Sequence, residues 1–252
     1  MINKIKQAIR ILRKEGVYIF FKTSFRYFLD KFLFFLYPYF LSKVKKFNSD
    51  NINESVNFVF GRLSLIKPAQ IKEEISQLLQ FLKEKKLKVI LEIGTANGGT
   101  LFCFCKIAGD DAKIISIDLP GGEFGGGYPK WKIPLYKSFA RENQKIYLIR
   151  ADSHRQETLE KVKNILNDKK VDFLFIDGDH TYQGVKKDFE MYYSLVKKDG
   201  IIGFHDIVSG PEENVGEVPK FWKEIKERSK YQEIIKKREQ GGYGIGIIYH
   251  NL

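Results

Sequence analysis

The chain has 252 residues, of which 43% are hydrophobic and 29% charged, and its formal net charge is +12. This length allows one or two domains with a sizeable core, and the composition excludes a disordered or low-complexity protein. Cys103 and Cys105 point to roughly opposite sides of a predicted helix, so they suit neither a disulfide nor a shared metal. We interpret them as buried thiols in a reducing compartment, which predicts a cytoplasmic protein.

The N-terminal segment is both basic and aromatic. Residues 1–50 carry a formal charge of +8, and twelve of the 36 aromatic residues lie between Tyr18 and Phe40. Charged residues interrupt the segment, and its longest uncharged run, from Phe32 to Ser42, is shorter than the roughly 20 apolar residues of a membrane span. We therefore expect amphipathic helices here and no transmembrane helix.

These features divide the chain into a helical extension with a linker, residues 1–57, and a main domain, residues 58–252. The polar stretch at 48–57 is interpreted as the linker. Residues 1–47 have two open interpretations. They either pack on the main domain or a dimer partner, or they form a peripheral anchor on the inner face of a membrane, where basic side chains meet anionic lipid. The sequence leaves open whether the chain forms a homo-oligomer.

The main domain alternates between helical and apolar, strand-like segments. The expected strands cover residues 88–93, 113–118, 145–150, 171–176 and 200–205. The expected helices cover residues 68–86, 99–108, 131–142, 155–168, 182–197 and 217–229. Apolar strands separated by helices predict a mostly parallel sheet covered on both faces. The last two strand-like segments are separated only by QGG, so they should form an antiparallel hairpin at one edge. We therefore predict an α/β, doubly wound, seven-stranded sheet.

A glycine-containing turn follows the first expected strand, in the sequence LEIGTANGGT. Gly94 and Gly98 permit a tight turn in which the backbone approaches a ligand at the start of the next helix. Their G-x-x-x-G spacing differs from the G-x-G-x-x-G pattern that binds a pyrophosphate, so it favours a nucleoside without a diphosphate. Turns of this kind also occur where only the chain geometry requires them.

Acidic residues end the next two strands. Asp118 ends the second strand, and Asp152 follows the third. Ligands of open α/β sheets bind beyond the carboxyl ends of the strands, and an acid after the second strand usually holds ribose hydroxyls. Either residue alone could instead cap a helix. Together they favour a nucleoside pocket.

Four ionisable residues follow the fourth and fifth strands, namely Asp177, His180, His205 and Asp206. If these strands are neighbours, the four side chains converge, and carboxylates with a histidine can bind a divalent cation. Each histidine also has a structural interpretation, His180 as a helix cap and His205 as a satisfied strand-end residue. Asp179 is interpreted as a cap of the following helix.

The first group of residues resembles the S-adenosylmethionine site of class I methyltransferases, whose fold is Rossmann-like. The resemblance covers about residues 70–250. It implies that the glycine turn and its acid face the methionine part of the cofactor, that the next acid holds the ribose, and that the third acid faces the adenine. The implied cofactor-binding residues are Glu92, Gly94, Thr95, Gly98, Asp118, Asp152 and Ser153.

The second group resembles metal-dependent O-methyltransferases of the catechol type. In that family an acid precedes the catalytic base by three residues and two further metal ligands by 28 and 29 residues, a spacing that this sequence matches. IDGDHTYQGVKKDFE…GIIGFHD is also similar to the branch of macrolide sugar O-methyltransferases and cephalosporin hydroxylase-like proteins. The resemblance implies Mg²⁺ or Mn²⁺ on Asp177, His205 and Asp206, with His180 as base. Because those relatives commonly have an acid in place of His205, this residue either favours Mn²⁺ or lies outside the coordination shell.

These features predict an O-methyltransferase that acts on a polyhydroxylated small molecule or glycan, with a sugar as the expected acceptor. Cation and base together would activate a hydroxyl for methyl transfer. Two glycine-containing loops, at 120–129 and 208–219, are interpreted either as lids over the acceptor or as simple connectors. The alternatives are a hydroxylase-like relative and a non-catalytic membrane- or nucleic-acid-binding module. Nucleic acid is not expected, because the charge outside residues 1–50 is only +4 and no base-reading motif is present.

Overall fold

The computed structural model describes residues 35–121 and 127–250, and it divides the chain into two units, Met1–Lys46 and Phe47–Leu252. The described part of the first unit is a helix over residues 35–46 (α1). Most of the predicted N-terminal extension therefore lies outside the described residues. Of the helices that the structure describes, none has the length and apolar character needed to cross a membrane.

A helix, α2, occupies Ile52–Val59, where the sequence analysis expected a linker at 48–57. The side chain of Asn51 caps it by accepting hydrogen bonds from two backbone N–H groups of the first turn, at 2.8 and 3.3 Å. Val56 and Val59 are fully buried, and α2 packs on two helices of the second unit. The polar composition concealed this capped helix, and the first unit ends at Lys46.

Seven strands form a single sheet in the order β3-β2-β1-β4-β5-β7-β6. The first five are parallel, whereas β7 runs antiparallel to both β5 and β6. The strands are β1 Val89–Ile93, β2 Lys113–Asp118, β3 Lys145–Arg150, β4 Val171–Ile176, β5 Val196–His205, β6 Tyr231–Ile234 and β7 Ile245–Tyr249. The predicted doubly wound α/β fold with an antiparallel C-terminal pair is confirmed.

The remaining helices connect these strands. They are α3 Lys72–Lys83, α4 Gly99–Ile107, α5 Ile133–Lys137, α6 Gln156–Leu166, α7 Tyr182–Tyr193, α8 Glu212–Val215 and α9 Val218–Lys226. The helix predicted at 131–142 is only a short 3₁₀ turn followed by α5. The helix predicted at 182–197 ends early, because Val196 already pairs with Val171 in the sheet.

The register of the strands brings their carboxyl ends to one edge of the sheet. Ile93 at the end of β1 pairs with Ile117 of β2 and Ile176 of β4, and Ile176 pairs with Phe204 of β5. All five residues of β1 are buried, as expected for a parallel strand that is covered on both faces. The turns after five consecutive strands therefore face the same space.

The C-terminal pair of strands differs from its prediction in one respect. The sequence suggested a short QGG connection, but β6 ends at Ile234 and β7 begins at Ile245, so residues 235–244 form a longer loop. KKRE contributes to this loop and not to a strand. The loop reaches the same edge of the sheet as the turns after β1–β5.

Candidate functional site

A cavity of about 590 Å³ lies at the carboxyl edge of β1–β5, where ligands of open α/β sheets bind. Residues 213–215 of α8 and residues 241–243 of the loop between β6 and β7 also line it. The predicted site residues that line it are Gly94, Asp118, Asp152, Ser153, Asp177, His180, His205 and Asp206. Of the predicted cofactor-binding residues, Glu92, Thr95 and Gly98 are not part of this lining.

Glu92 lies behind the glycine turn. It is paired within the sheet, and its fully buried carboxylate accepts hydrogen bonds from the hydroxyls of Thr100 and Ser116 at 2.5 and 2.6 Å. The hydroxyl of Thr95 is 2.5 Å from that of Ser116. Burial raises the pKa of Glu92 to about 8. The structure therefore gives Glu92 a position beneath the turn, where its oxygens contact protein hydroxyls.

The two glycines of the turn are required by neighbouring protein atoms. Gly94 and Gly98 have φ angles of +95° and +84°, which favour glycine. A Cβ atom on Gly94 would lie 1.9 Å from the carbonyl oxygen of Asp177, and one on Gly98 would lie 2.6 Å from the ring of Tyr136. The glycine at position 94 thus lets the turns after β1 and β4 meet.

Asp118 is held by backbone groups. Its carboxylate accepts hydrogen bonds from the N–H groups of Ala96, Leu119 and Gly127 at 2.6, 2.7 and 2.9 Å. Burial raises the pKa of Asp118, and these three hydrogen bonds oppose that rise. Asp118 therefore joins the glycine turn to the loop that follows β2, beside the cavity.

Asp152 begins a turn that is joined to α7. Its Oδ1 accepts a hydrogen bond from the N–H of His154 at 2.8 Å. His154 Nε2 lies 3.2 Å from Oδ1 of the fully buried Asp188 and 3.1 Å from the carbonyl oxygen of Gly184. The contact with Asp188 raises the pKa of His154. This pair could not be predicted from the sequence, because 34 positions separate two residues that only the fold brings together.

The four ionisable residues after β4 and β5 form one cluster. His205 Nδ1 lies 3.1 Å from Asp177 Oδ1 and 3.3 Å from Asp206 Oδ2. His180 contacts the same carboxylates, with Nε2 3.5 Å from Asp177 Oδ1 and Nδ1 3.6 Å from Asp206 Oδ2. The structure thus brings together all four side chains that the sequence singled out.

Mutual attraction sets the protonation of this cluster. Burial alone would raise the pKa of Asp177, but the contacts with His205 and His180 outweigh it and hold that pKa well below its usual range. Burial opposes protonation of the two histidines, yet Asp177 and Asp206 raise the pKa of His205 well above, and that of His180 above, the ordinary value. The two carboxylates therefore create a site that favours positive charge.

Three members of the cluster could share a metal ion. Among the residues that the structure describes, Asp177, His180 and Asp206 each offer one ligand atom, and these atoms lie within 4.8 Å of one another. Two carboxylate oxygens and one imidazole nitrogen suit Mn²⁺ or a similar ion better than Mg²⁺, which prefers oxygen ligands. The predicted ligand His205 is not in this set, whereas the predicted base His180 is.

Residues from three separate segments support the cluster, and the sequence analysis identified none of them. Gln70 Nε2 donates a hydrogen bond to Asp177 Oδ2 at 3.2 Å, and the N–H of Tyr243 donates one to Asp206 Oδ1 at 3.1 Å. The carbonyl oxygen of Asn214 lies 2.9 Å from His180 Nδ1, so this ring nitrogen must carry the proton and donate it. No spacing rule connects these positions, because they meet only in the folded sheet.

The loops interpreted as lids differ in what the structure shows. In the loop at 208–219, residues 213–215 line the cavity and Gly216 packs against the backbone of His180. In the loop at 120–129, residues 122–126 lie outside the described part of the chain. Gly127 is fixed by its hydrogen bond to Asp118.

One protein-family model matches the central part of the chain. Residues 91–207, from β1 to just beyond β5, match a family model described as a methyltransferase domain. Among curated proteins, the chain is 32% identical over 121 residues to the uncharacterized protein y4gI of Sinorhizobium fredii, which covers 46% of this chain and 13% of that protein. It is 31% identical over 134 residues to the uncharacterized protein R132 of Acanthamoeba polyphaga mimivirus, covering 49% and 53%. The chain therefore spans about half of one of these relatives and much less of the other.

Solved structures with a similar fold are O-methyltransferases. One is TomG from Streptomyces achromogenes, in complex with S-adenosylmethionine, with a TM-score of 0.53 and 14% identity, covering 81% of this chain and 92% of that one. Another is a putative O-methyltransferase from Klebsiella pneumoniae, with a TM-score of 0.56 and 17% identity, covering 82% and 93%. At these identities the likeness establishes the fold.

The fold and the family match agree with the class that the motifs predicted. Residues 91–207 match a methyltransferase-domain model, and the chain has the fold of solved O-methyltransferase structures. Both findings are consistent with a class I S-adenosylmethionine-dependent methyltransferase.

Proposed function

We propose that this protein transfers a methyl group from S-adenosylmethionine to a hydroxyl oxygen of a polyhydroxylated acceptor, such as a sugar, with the help of a divalent cation. The observation that carries the proposal is that one cavity contains two sets of residues. Asp118 and Asp152 line one part of the cavity. The cluster of Asp177, His180, His205 and Asp206 lines another part. A methyltransferase of this kind needs both a nucleoside site and a means to activate a hydroxyl.

The residues after β1, β2 and β3 would hold the cofactor, which supplies an activated methyl group. Asp118 would face the ribose, since its position after β2 is the usual one for that contact. Asp152 and Ser153, after β3, would face the adenine. Glu92 and Thr95 would act from beneath by keeping the glycine turn in place.

The cluster after β4 and β5 would hold the cation and move a proton. A divalent cation between the carboxylates of Asp177 and Asp206 would lower the pKa of a bound hydroxyl. His180 Nδ1–H donates to Asn214, so in the neutral ring Nε2 carries the lone pair. That nitrogen would either take the proton of the acceptor hydroxyl or serve as the third ligand. His205, between both carboxylates, would keep them in position.

The acceptor would present two adjacent hydroxyls, because such a diol can contact a cation through both oxygens. Sugars and catechols both contain vicinal diols. Polar side chains at this part of the cavity, including Asp179 and Glu213, offer further hydrogen bonds to a polyhydroxylated molecule. These two acidic side chains favour a sugar over an apolar acceptor.

The proposal is tested by mass spectrometry of a glycan and metabolite pool incubated with the protein, S-adenosylmethionine and Mn²⁺ or Mg²⁺. We expect one species to gain the mass of one methylene group, and excess chelator to prevent this gain. Addition of an oxygen atom instead would indicate hydroxylase-like chemistry. Methylation that persists in excess chelator would contradict the role of the cation.

The role of His180 is resolved by His180→Ala, with binding of Mn²⁺ followed by electron paramagnetic resonance. If His180 is the base, the variant should bind Mn²⁺ and S-adenosylmethionine like the wild type but turn over roughly 100-fold more slowly. If His180 is a ligand, Mn²⁺ binding should be lost as well. A variant with near-native turnover would exclude both roles.

A further inference from the structure

The order of the strands arranges the two groups of site residues along a line. The proposed cofactor residues follow β3, β2 and β1, and the cation cluster follows β4 and β5, which come next across the sheet. The strand beyond β5 is β7, and the loop that precedes it, residues 235–244, lines the cavity through residues 241–243. An acceptor that approaches the cluster from the side opposite the cofactor would therefore meet this loop.

Tyr243 is the aromatic residue that this loop presents to the cavity. It is 40% exposed, and its ring centroid lies 6.1 Å from that of His205. An exposed aromatic ring in the lining of a cavity provides a flat surface for a ligand ring. The position places such a surface directly beside the cation cluster.

The backbone at Tyr243 is held in an unfavourable conformation. Its φ angle is +61°, in the left-handed region that costs energy for a side chain of this size, and the residues on both sides are glycines with positive φ. Its N–H donates to Asp206 Oδ1, and its carbonyl oxygen accepts a hydrogen bond from Val208 N–H at 2.9 Å. The loop is thus fixed to the same carboxylate that contributes to the cluster.

A buried carboxylate on α3 holds this loop from the other side. Glu74 is fully buried, and its oxygens accept hydrogen bonds from the N–H of Lys236, the side chain of Gln240 and the N–H of Gly244, at 2.9, 2.7 and 2.9 Å. Burying a carboxylate is costly unless it is fully hydrogen-bonded. The buried Glu74 and the strained backbone of Tyr243 both cost free energy. Their presence at a connecting loop indicates that the conformation of this loop has a function.

We propose that loop 235–244 is the acceptor wall of the cavity and that Tyr243 packs its ring against the ring of a vicinal-diol acceptor. Glu74 is then a positioning residue that maintains the wall. This inference rests on the proposed function and names the acceptor chemistry of that same site. The shared chemistry is a ring that carries two adjacent hydroxyls, which occurs in catechols and in sugars.

The test compares Tyr243→Phe and Tyr243→Gly with the wild type. Phenylalanine keeps the ring, and glycine removes it at a φ angle that glycine adopts without strain, so Tyr243→Gly should fold at least as stably. Tyr231→Ala is the matched control, because Tyr231 is 49% exposed on β6 and does not line the cavity. The probes are 4-nitrocatechol and methyl α-D-mannopyranoside, titrated into protein with S-adenosylmethionine and Mn²⁺.

We expect Tyr243→Gly to weaken binding of at least one probe about 3- to 10-fold, since the packing of the aromatic ring against the probe is lost. Tyr243→Phe and Tyr231→Ala should bind that probe within about 2-fold of the wild type, and all variants should bind S-adenosylmethionine equally. If binding of 4-nitrocatechol is weakened, the site prefers aromatic rings; if binding of methyl α-D-mannopyranoside is weakened, it prefers sugar rings.

The outcomes separate this inference from the function on which it rests. Equal probe binding by Tyr243→Gly and wild type, loss in Tyr243→Phe as large as in Tyr243→Gly, or wild-type protein that binds neither probe would each overturn the role of Tyr243. Methyl transfer to another acceptor would in those cases leave the proposed function standing. Failure of the wild type to bind S-adenosylmethionine would overturn both.

Discussion

The two halves of the cavity are built in different ways. In the half after β1–β3, backbone groups fix the key features, since Asp118 accepts three backbone hydrogen bonds and Gly94 is required by a neighbouring carbonyl. In the half after β4 and β5, side chains hold one another, with His205 and His180 between two carboxylates. The proposed cofactor site therefore follows from the fold, whereas the proposed cation site depends on the identity of a few side chains.

We expect the largest effect from Asp177→Asn, which removes a negative charge from the cation half and leaves the cofactor half unchanged. Asp177→Asn should weaken Mn²⁺ binding at least about 100-fold, because losing a ligand costs more than the 10- to 100-fold loss typical of supporting residues. Affinity for S-adenosylmethionine should stay within about 3-fold. Calorimetric titration of each ligand measures both. Asp179→Asn, two residues away and outside the cluster, is the control and should bind Mn²⁺ like the wild type.

Asp118→Asn should have the opposite pattern. The amide retains one accepting oxygen and turns an N–H group towards backbone donors, so the turn loses hydrogen bonds to a charged acceptor. We expect S-adenosylmethionine to bind about 10- to 100-fold more weakly and Mn²⁺ to bind normally. Asp111→Asn removes the same charge from an exposed position before β2 and should change neither affinity. If Asp118→Asn weakened Mn²⁺ binding as strongly, the two halves would not be independent.

His154→Gln tests whether an ion pair stabilises the cofactor half, where His154 contacts Asp188. The pKa of His154 is raised above its ordinary value of about 6.5. The stability that the pair contributes is therefore fully present below that value and is lost as the pH rises through the raised pKa. We expect the variant to melt a few degrees below the wild type at pH 6 and the difference to shrink at pH 9. A difference that does not change with pH would argue against the ion pair.

Glu92→Gln should have the smallest effect on binding. Burial raises the pKa of Glu92 to about 8, so the wild-type protein should lose stability as the pH rises from the ordinary carboxyl range through that value. Glutamine has no charge to bury, and its melting temperature should vary less over the same range. S-adenosylmethionine affinity should stay within about 3-fold, because Glu92 lies behind the turn. A loss of more than 10-fold would indicate direct contact with the cofactor.

Much of this fold was predictable because its strands are apolar throughout and the segments between them can form helices. The same regularity predicted that Asp177 and Asp206 would meet, since parallel strands end at one edge. Helix α2 was missed because polar residues dominate its sequence, although Asn51 is a recognisable cap. The roles of His180 and His205 could not be separated by spacing, because which ring faces both carboxylates depends on side-chain geometry. Tyr243 was not identified, because the loop that carries it was expected to be shorter.

The central claim is that one cavity holds a cofactor half and a cation half. Isothermal titration of S-adenosylmethionine into the wild-type protein and Asp177→Asn, each with and without Mn²⁺, tests it most directly. We predict that both proteins bind one S-adenosylmethionine per chain, and that Mn²⁺ binds to the wild type alone. Absence of S-adenosylmethionine binding to the wild type, or equal Mn²⁺ binding to both proteins, would contradict the account.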